Sequence, residues 1–301
     1  MTRDKIIVLD SGMGKTLSMK GVEIPPTIWS ANALIVAPDV VVEVHLENIK
    51  AGAKIITTNS YGIISSDLEK EGLNDKYEEL NQAAGQLALD AVSLAGEKVM
   101  IAGSLPPQNG SYRPDRVLDR KFLEPLYRRQ AELLAPYVDI FLCETMSTTE
   151  EAIAAVSAAS EFEIPVMVGL TLHDKKISCL RSGESLIDAI EKLKGLDPLG
   201  ILANCCLPER ISDAMPILVA SGAEYTGGYA NAFTHIPQDW LLDGVKKTDG
   251  RLKLREDLSP ENYCKFIANW VQQGANLVGG CCGTTANHIH SINEWLKKKA
   301  L

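Results

Sequence analysis

The sequence predicts an α/β chain closed into one (β/α)8 TIM barrel, a single domain over residues 1–301, and three observations predict it. Short apolar, β-rich runs recur from one end to the other, each is followed by a longer segment of helical character, and the runs number eight. Such alternation marks parallel strands covered on both faces. Eight of them fit a closed barrel better than an open sheet. The chain has 301 residues, 46% of them hydrophobic, enough for a large core, and no linker or low-complexity tract divides it.

The first run is Ile6 to Asp10. Pro38-Asp39 then opens a helix, since proline suits a first helical turn, and Gly52 closes it just before the second run, Ile55 to Asn59. The third and fourth runs are Val99 to Gly103 and Ile140 to Glu144. Thr148-Thr149-Glu150-Glu151 reads as an N-cap with acidic first-turn residues for a helix over Ala152 to Ser160. Val166 to Thr171 and Gly200 to Asn204 follow, and then Glu224 to Gly228, the most weakly patterned of the eight. Ser259-Pro260-Glu261 starts a helix ending near Gly274, ahead of the last run, Leu277 to Gly280.

A barrel carries its functional groups at the C-terminal ends of its strands. Those ends hold Asp10, Asn59, Ser104, Glu144, Thr171, Asn204-Cys205 and Gly280-Cys281-Cys282. Polar residues also gather there simply because strands end where polarity begins, so the cysteines weigh most.

The formal net charge is -9, with no basic stripe, which argues against a phosphate-backbone binder. The apolar run before Asp10 is too short for a signal-peptide core or a membrane span, so a cytoplasmic protein is expected. Seven cysteines, an odd number, predict reduced thiols rather than a disulfide framework. Cys143, Cys179, Cys206 and Cys264 read as packing residues.

Gly279-Gly280-Cys281-Cys282-Gly283 puts two thiols on a permissive turn, and Cys205, two strands back around the ring, can approach the same mouth. Three thiolates with one open position are the pattern of a catalytic zinc site. A vicinal disulfide, metal-free buried thiols or a structural zinc knuckle are the alternatives. Consecutive strand residues face opposite ways, so Cys205 is expected to bind and Cys206 to turn away. His45, His288 and His290 fall in predicted helices and read as packing or surface residues, whereas His173 and His235 follow strands and could line the mouth.

Asn204-Cys205 followed by Gly279-Gly280-Cys281-Cys282-Gly283-Thr284-Thr285 resembles the paired zinc signature of the homocysteine S-methyltransferase family. Supporting segments are Asp10-Ser11-Gly12-Met13-Gly14, Thr58-Asn59-Ser60-Tyr61, Ala102-Gly103-Ser104 and Cys143-Glu144-Thr145, and the resemblance covers nearly the whole chain. It implies Zn2+ on Cys205, Cys281 and Cys282, with Asp10 and Glu144 holding the amino end of homocysteine. Thr58, Asn59 and Ser104 are either pocket-lining or strand-ending hydrogen-bonders. The implied partners are small molecules, homocysteine and a methyl donor, with S-methylmethionine favoured over S-adenosylmethionine; oligomeric state is not legible.

Ser11, Lys15 and Thr16 depart from the family's usual first loop, and Ala230 stands where the family has proline. These changes bear on the donor and keep a rival open, a related zinc barrel that methylates another thiol or selenol or demethylates betaine-like compounds. A non-catalytic zinc barrel is the rival from another class.

Overall fold

The computed structural model describes residues 6–237 and 252–299. Its strands are β1 (Ile7–Val8), β2 (Ile55–Thr57), β3 (Met100–Leu105), β4 (Ile140–Met146), β5 (Val166–Leu170), β6 (Gly200–Asn204), β7 (Tyr225–Ala230) and β8 (Leu277–Gly280). All pair in parallel, in the order β1-β8-β7-β6-β5-β4-β3-β2, and a bridge between Leu9 and Ile55 closes the ring. Each expected strand is present. Three run further than expected, β3 through Ser104 to Leu105, β4 past Glu144 to Met146 and β7 past Gly228 to Ala230. The expected ends of β3 and β4 fall where polar residues begin, but a polar side chain at a barrel mouth does not end the backbone ladder behind it.

The helices are α1 (Met13–Met19), α2 (Asn32–Val36), α3 (Pro38–Ala51), α4 (Ser65–Lys70), α5 (Tyr77–Ala95), α6 (Arg120–Leu134), α7 (Thr149–Ala159), α8 (Leu186–Lys194), α9 (Pro208–Ala220), α10 (Pro260–Gln272) and α11 (Ala286–Lys299). The expected caps form: Thr148 Oγ1 accepts from the Glu151 N–H at 3.1 Å and Ser259 Oγ from the Asn262 N–H at 3.3 Å. Helices α1, α2 and α4 are extra, inserted into the loops after β1 and β2. Leu17, Ile28, Leu34, Val41 and Val44 pack them into a small core of their own.

The main core has two layers. Leu9, Ile55, Leu142, Met167 and Leu202 fill the lumen, while Phe141, Val168, Leu218, Ile267 and Trp270 pack the sheet against the helices. Burying each such side chain contributes about 1.5–3 kcal/mol before the entropy of ordering it is subtracted. Alternation assigns faces: Ile140 and Leu142 point inward and Phe141 and Cys143 outward, so Glu144 comes up on the lumen side at the mouth. Among the described residues no helix is long and apolar enough to cross a membrane.

Candidate active site

Three sulfurs meet at the C-terminal mouth. Cys281 and Cys282 follow β8, in a turn tied by the Thr284 N–H and hydroxyl, both bonded to the Cys281 carbonyl at 3.1 and 2.7 Å. Cys205 follows β6, where simple alternation works against it. Leu202 lies in the lumen and Ile201 and Ala203 face the helices, so an extended residue 205 would point outward. Instead Cys205 has φ +47°, a left-handed conformation that costs a non-glycine residue roughly 1–2 kcal/mol. That twist swings its sulfur to the mouth and leaves Cys206 in the helix-facing core. The separation of the two cysteines thus has a different cause from the strand alternation expected.

Cys205 Sγ lies 2.6 Å from Cys281 Sγ, and the sulfurs of Cys205, Cys281 and Cys282 all lie within 4.8 Å of one another. Tetrahedral zinc at about 2.3 Å from each thiolate sets sulfurs about 3.8 Å apart, inside that spread. All seven cysteines are free thiols. Burial opposes ionisation of Cys205, yet hydrogen bonds from the Cys281 and Cys282 thiols and the Tyr112 hydroxyl outweigh it and hold its pKa well below the usual thiol range. Donation to Cys205 is what chiefly pushes Cys282 up, and burial what chiefly pushes up Cys281. One anionic sulfur fed by two thiols is a donor set suited to a metal cation. Among the described residues no histidine or carboxylate joins the three, so a tetrahedral ion would keep one position open.

Two carboxylates flank the sulfurs. Glu144 accepts the Ser104 hydroxyl at 2.5 Å and the Tyr229 hydroxyl at 3.3 Å. Burial, countered by the Ser104 bond and reinforced by the charges of Cys205 and Asp10, pushes its pKa up to about 8. Asp10 is pushed up to about 7, again by burial, against bonds from Thr57. Its oxygens accept the Thr57 N–H at 2.7 Å and hydroxyl at 3.0 and 3.1 Å. Asp10 therefore also clamps β1 to β2, where the barrel is closed by little else.

Thr58, Asn59 and Ser104 all line the cavity and are buried, and each has strand-end bonds. Thr58 Oγ1 accepts the Ser104 N–H at 3.0 Å, and Asn59 Nδ2 donates to the Ser30 carbonyl at 2.9 Å. Asn204 reaches across β5 to Thr145, its Oδ1 accepting the Thr145 N–H at 2.8 Å and its Nδ2 donating to Thr145 Oγ1 at 3.0 Å. Only a residue without a side chain allows this: a Cβ on Gly169 would lie 2.6 Å from Asn204 Oδ1 and 2.8 Å from the Tyr229 hydroxyl.

The cavity is about 250 Å³ and is walled by Trp29, Tyr61, Tyr112, Tyr229 and Phe233 as well as the groups above. These aromatics were not singled out from sequence, because most sit in loops whose patterning carries no period. Lys15 of the unusual first loop lines it too. Two expectations are corrected. His173 does not line the mouth; its Nδ1 accepts the Lys175 and Lys176 N–H groups at 3.0 and 3.1 Å in a local turn. His235 is exposed and outside the lining. His45 and His288 are buried in the helical layer and His290 is exposed. Where proline was expected, the Ala230 N–H donates to the Tyr263 hydroxyl at 2.9 Å, a bond that proline cannot make.

The first loop also braces the thiols. A Cβ on Gly12 would stand 2.6 Å from the Cys281 carbonyl oxygen and 3.1 Å from the Cys282 Cα. Gly12→Ala must therefore push the cysteine turn aside, at a cost of about 1–3 kcal/mol. Metal content measured at limiting metal is expected to drop in this variant although every cysteine remains; unchanged metal binding would show the turn to be free of the loop.

Residues 7–296 match the family model described as Homocysteine S-methyltransferase. The chain is 27% identical to Homocysteine S-methyltransferase 1 of Arabidopsis thaliana over 97% of its own length and 94% of that protein's. It is 24% identical to a selenocysteine methyltransferase of Astragalus bisulcatus, over 96% and 92% of the two chains. The metallated form of the homocysteine methyltransferase MmuM of Escherichia coli superposes with a TM-score of 0.80, at 23% identity and covering 97% of each chain.

Proposed function

Since the chain belongs to the homocysteine S-methyltransferase family, we propose that it transfers a methyl group from an onium donor to the thiol of L-homocysteine, forming methionine, with zinc on Cys205, Cys281 and Cys282. The observation that carries this reading is the convergence of three sulfurs on a cavity that also holds two buried carboxylates. Zinc bound there would supply a Lewis acid that lets an acceptor thiol lose its proton at neutral pH.

The chain's own residues do the rest. Glu144, oriented by the Ser104 and Tyr229 hydroxyls, pairs with the acceptor's ammonium group, assisted by the charge of Asp10. Aromatic walls suit a cationic donor, whose positive charge is attracted to ring faces. They also keep water from the reacting sulfur. As the new sulfur–carbon bond forms, the donor's bond to its methyl breaks and the electron pair stays on the donor, which leaves neutral. Holding both partners in line is the main work left to the protein. Among sulfonium donors this reading takes S-methylmethionine ahead of S-adenosylmethionine.

The similarity to a selenocysteine methyltransferase supports a second reading, in which the acceptor is another thiol or a selenol. One assay separates them. Reduced, zinc-replete protein is given homocysteine or selenocysteine with S-methylmethionine, S-adenosylmethionine, betaine or methyltetrahydrofolate, and products are read by mass spectrometry. Methionine formed fastest from S-methylmethionine is expected; methylselenocysteine as the faster product would move the assignment to the second reading, and no product from homocysteine with any donor would end the first.

A further inference from the structure

We propose that Tyr112 is a positioning residue of the metal centre, its hydroxyl aiming the Cys205 sulfur into the mouth and tuning its bond to the metal; this rests on the reading of Cys205 as a metal ligand. The Tyr112 hydroxyl donates to Cys205 Sγ at 2.9 Å. Both ends of that bond are left-handed, Tyr112 at φ +63° and Cys205 at φ +47°, although neither residue is glycine, asparagine or aspartate. Strained residues persist only where the surroundings over-determine them, and they cluster at functional sites.

The surroundings here are specific. The Cys205 carbonyl accepts Asn231 Nδ2 at 2.9 Å and Thr171 Oγ1 at 3.3 Å, which pins the backbone but not the sulfur. Tyr112 supplies the side-chain restraint. Its ring is held in turn by Arg181, a buried guanidinium whose carbon lies 5.7 Å from the ring centroid. Arg181 pairs with Asp174 at 2.9 Å and donates to the Ile236 carbonyl at 2.5 Å. The loops after β3, β5 and β7 are thus tied together behind one sulfur.

A hydrogen bond to a metal-bound thiolate draws electron density from it, and such outer contacts change metal affinity by roughly 10–100-fold. Tyr112→Phe keeps the ring that packs with Phe233 and Ile236 and removes only the hydroxyl. The experiment measures zinc affinity by chelator competition, the thiolate-to-cobalt charge-transfer band of the cobalt-substituted protein, and the thermal midpoint of the metal-free protein.

Tyr112→Phe is expected to bind zinc at least about tenfold more weakly and to move the cobalt band to lower energy, with an unchanged midpoint. Arg181→Lys, which keeps a cation for Asp174 but loses the planar stack, is expected to shift both metal readouts the same way and less. A merely structural role would move the midpoint and leave the band in place. Unchanged affinity and band in Tyr112→Phe, with metal lost in Cys205→Ala, overturns this proposal alone; metal retained in Cys205→Ala overturns the ligand assignment and this proposal with it.

Discussion

Alanine at Cys205, Cys281 or Cys282 is expected to strip bound zinc and to lower methionine formation by at least about a thousandfold. The size follows from what the metal would supply, several kcal/mol of charge stabilisation, of which about 4 kcal/mol corresponds to three orders of magnitude. No substitute ligand stands by, since among the described residues no fourth histidine, cysteine or carboxylate belongs to the cluster. Cys206→Ala is the control. Its sulfur lies in the helix-facing core, so it should lose about 1 kcal/mol of stability and keep its zinc. Metal analysis and initial rates on the four purified variants decide the matter, and full zinc stoichiometry in all three ligand variants would sink the assignment.

The contrast between Cys205 and Cys206 also shows how far the sequence could be read. The strands were legible because burial on both faces forces continuous apolar runs, a signal local to each segment. Barrel closure followed from their number, and the positions of Asp10, Glu144 and the cysteine turn from the rule that strand ends face one mouth. What escaped has a common cause. The left-handed twist at Cys205, the reach of Asn204 across Gly169 and the hydroxyl of Tyr112 on a sulfur 93 residues away depend on loops meeting in space, and no periodicity records such meetings. His173 misled for the same reason: it follows a strand, but its ring is taken up by two backbone N–H groups of its own turn.

Glu144→Gln is expected to lower kcat/KM for homocysteine by roughly 10- to 150-fold, the equivalent of the 1.5–3 kcal/mol of one charge-assisted hydrogen bond, with zinc content unchanged. The isosteric amide can accept the Ser104 hydroxyl through its oxygen and donate through its nitrogen to the Tyr229 hydroxyl oxygen, so the shape is kept and the loss reports chiefly the charge. The pH dependence gives a second signature. Burial raises Glu144 from its ordinary 4.5 to about 8, so below that value the empty site holds mostly the neutral acid. An ammonium group pairs with the carboxylate and must expel the proton, so KM is expected to fall as pH rises from about 6 to about 8, by up to tenfold per unit at the acid end. For stability the sign is opposite. A carboxyl whose folded pKa exceeds its unfolded value binds more protons folded, so its contribution is full below about 4.5 and is lost as pH rises through about 8. Substrate binding and apo-protein stability should therefore move in opposite directions across the same pH window, and Glu144→Gln should reduce the slope of both, with Asp10, and for stability also the buried Glu151, each raised to about 7, supplying the remainder. A KM that stays level from pH 6 to 8 in the unmodified protein would remove both Glu144 and Asp10, each raised into that window by burial, from the ammonium site.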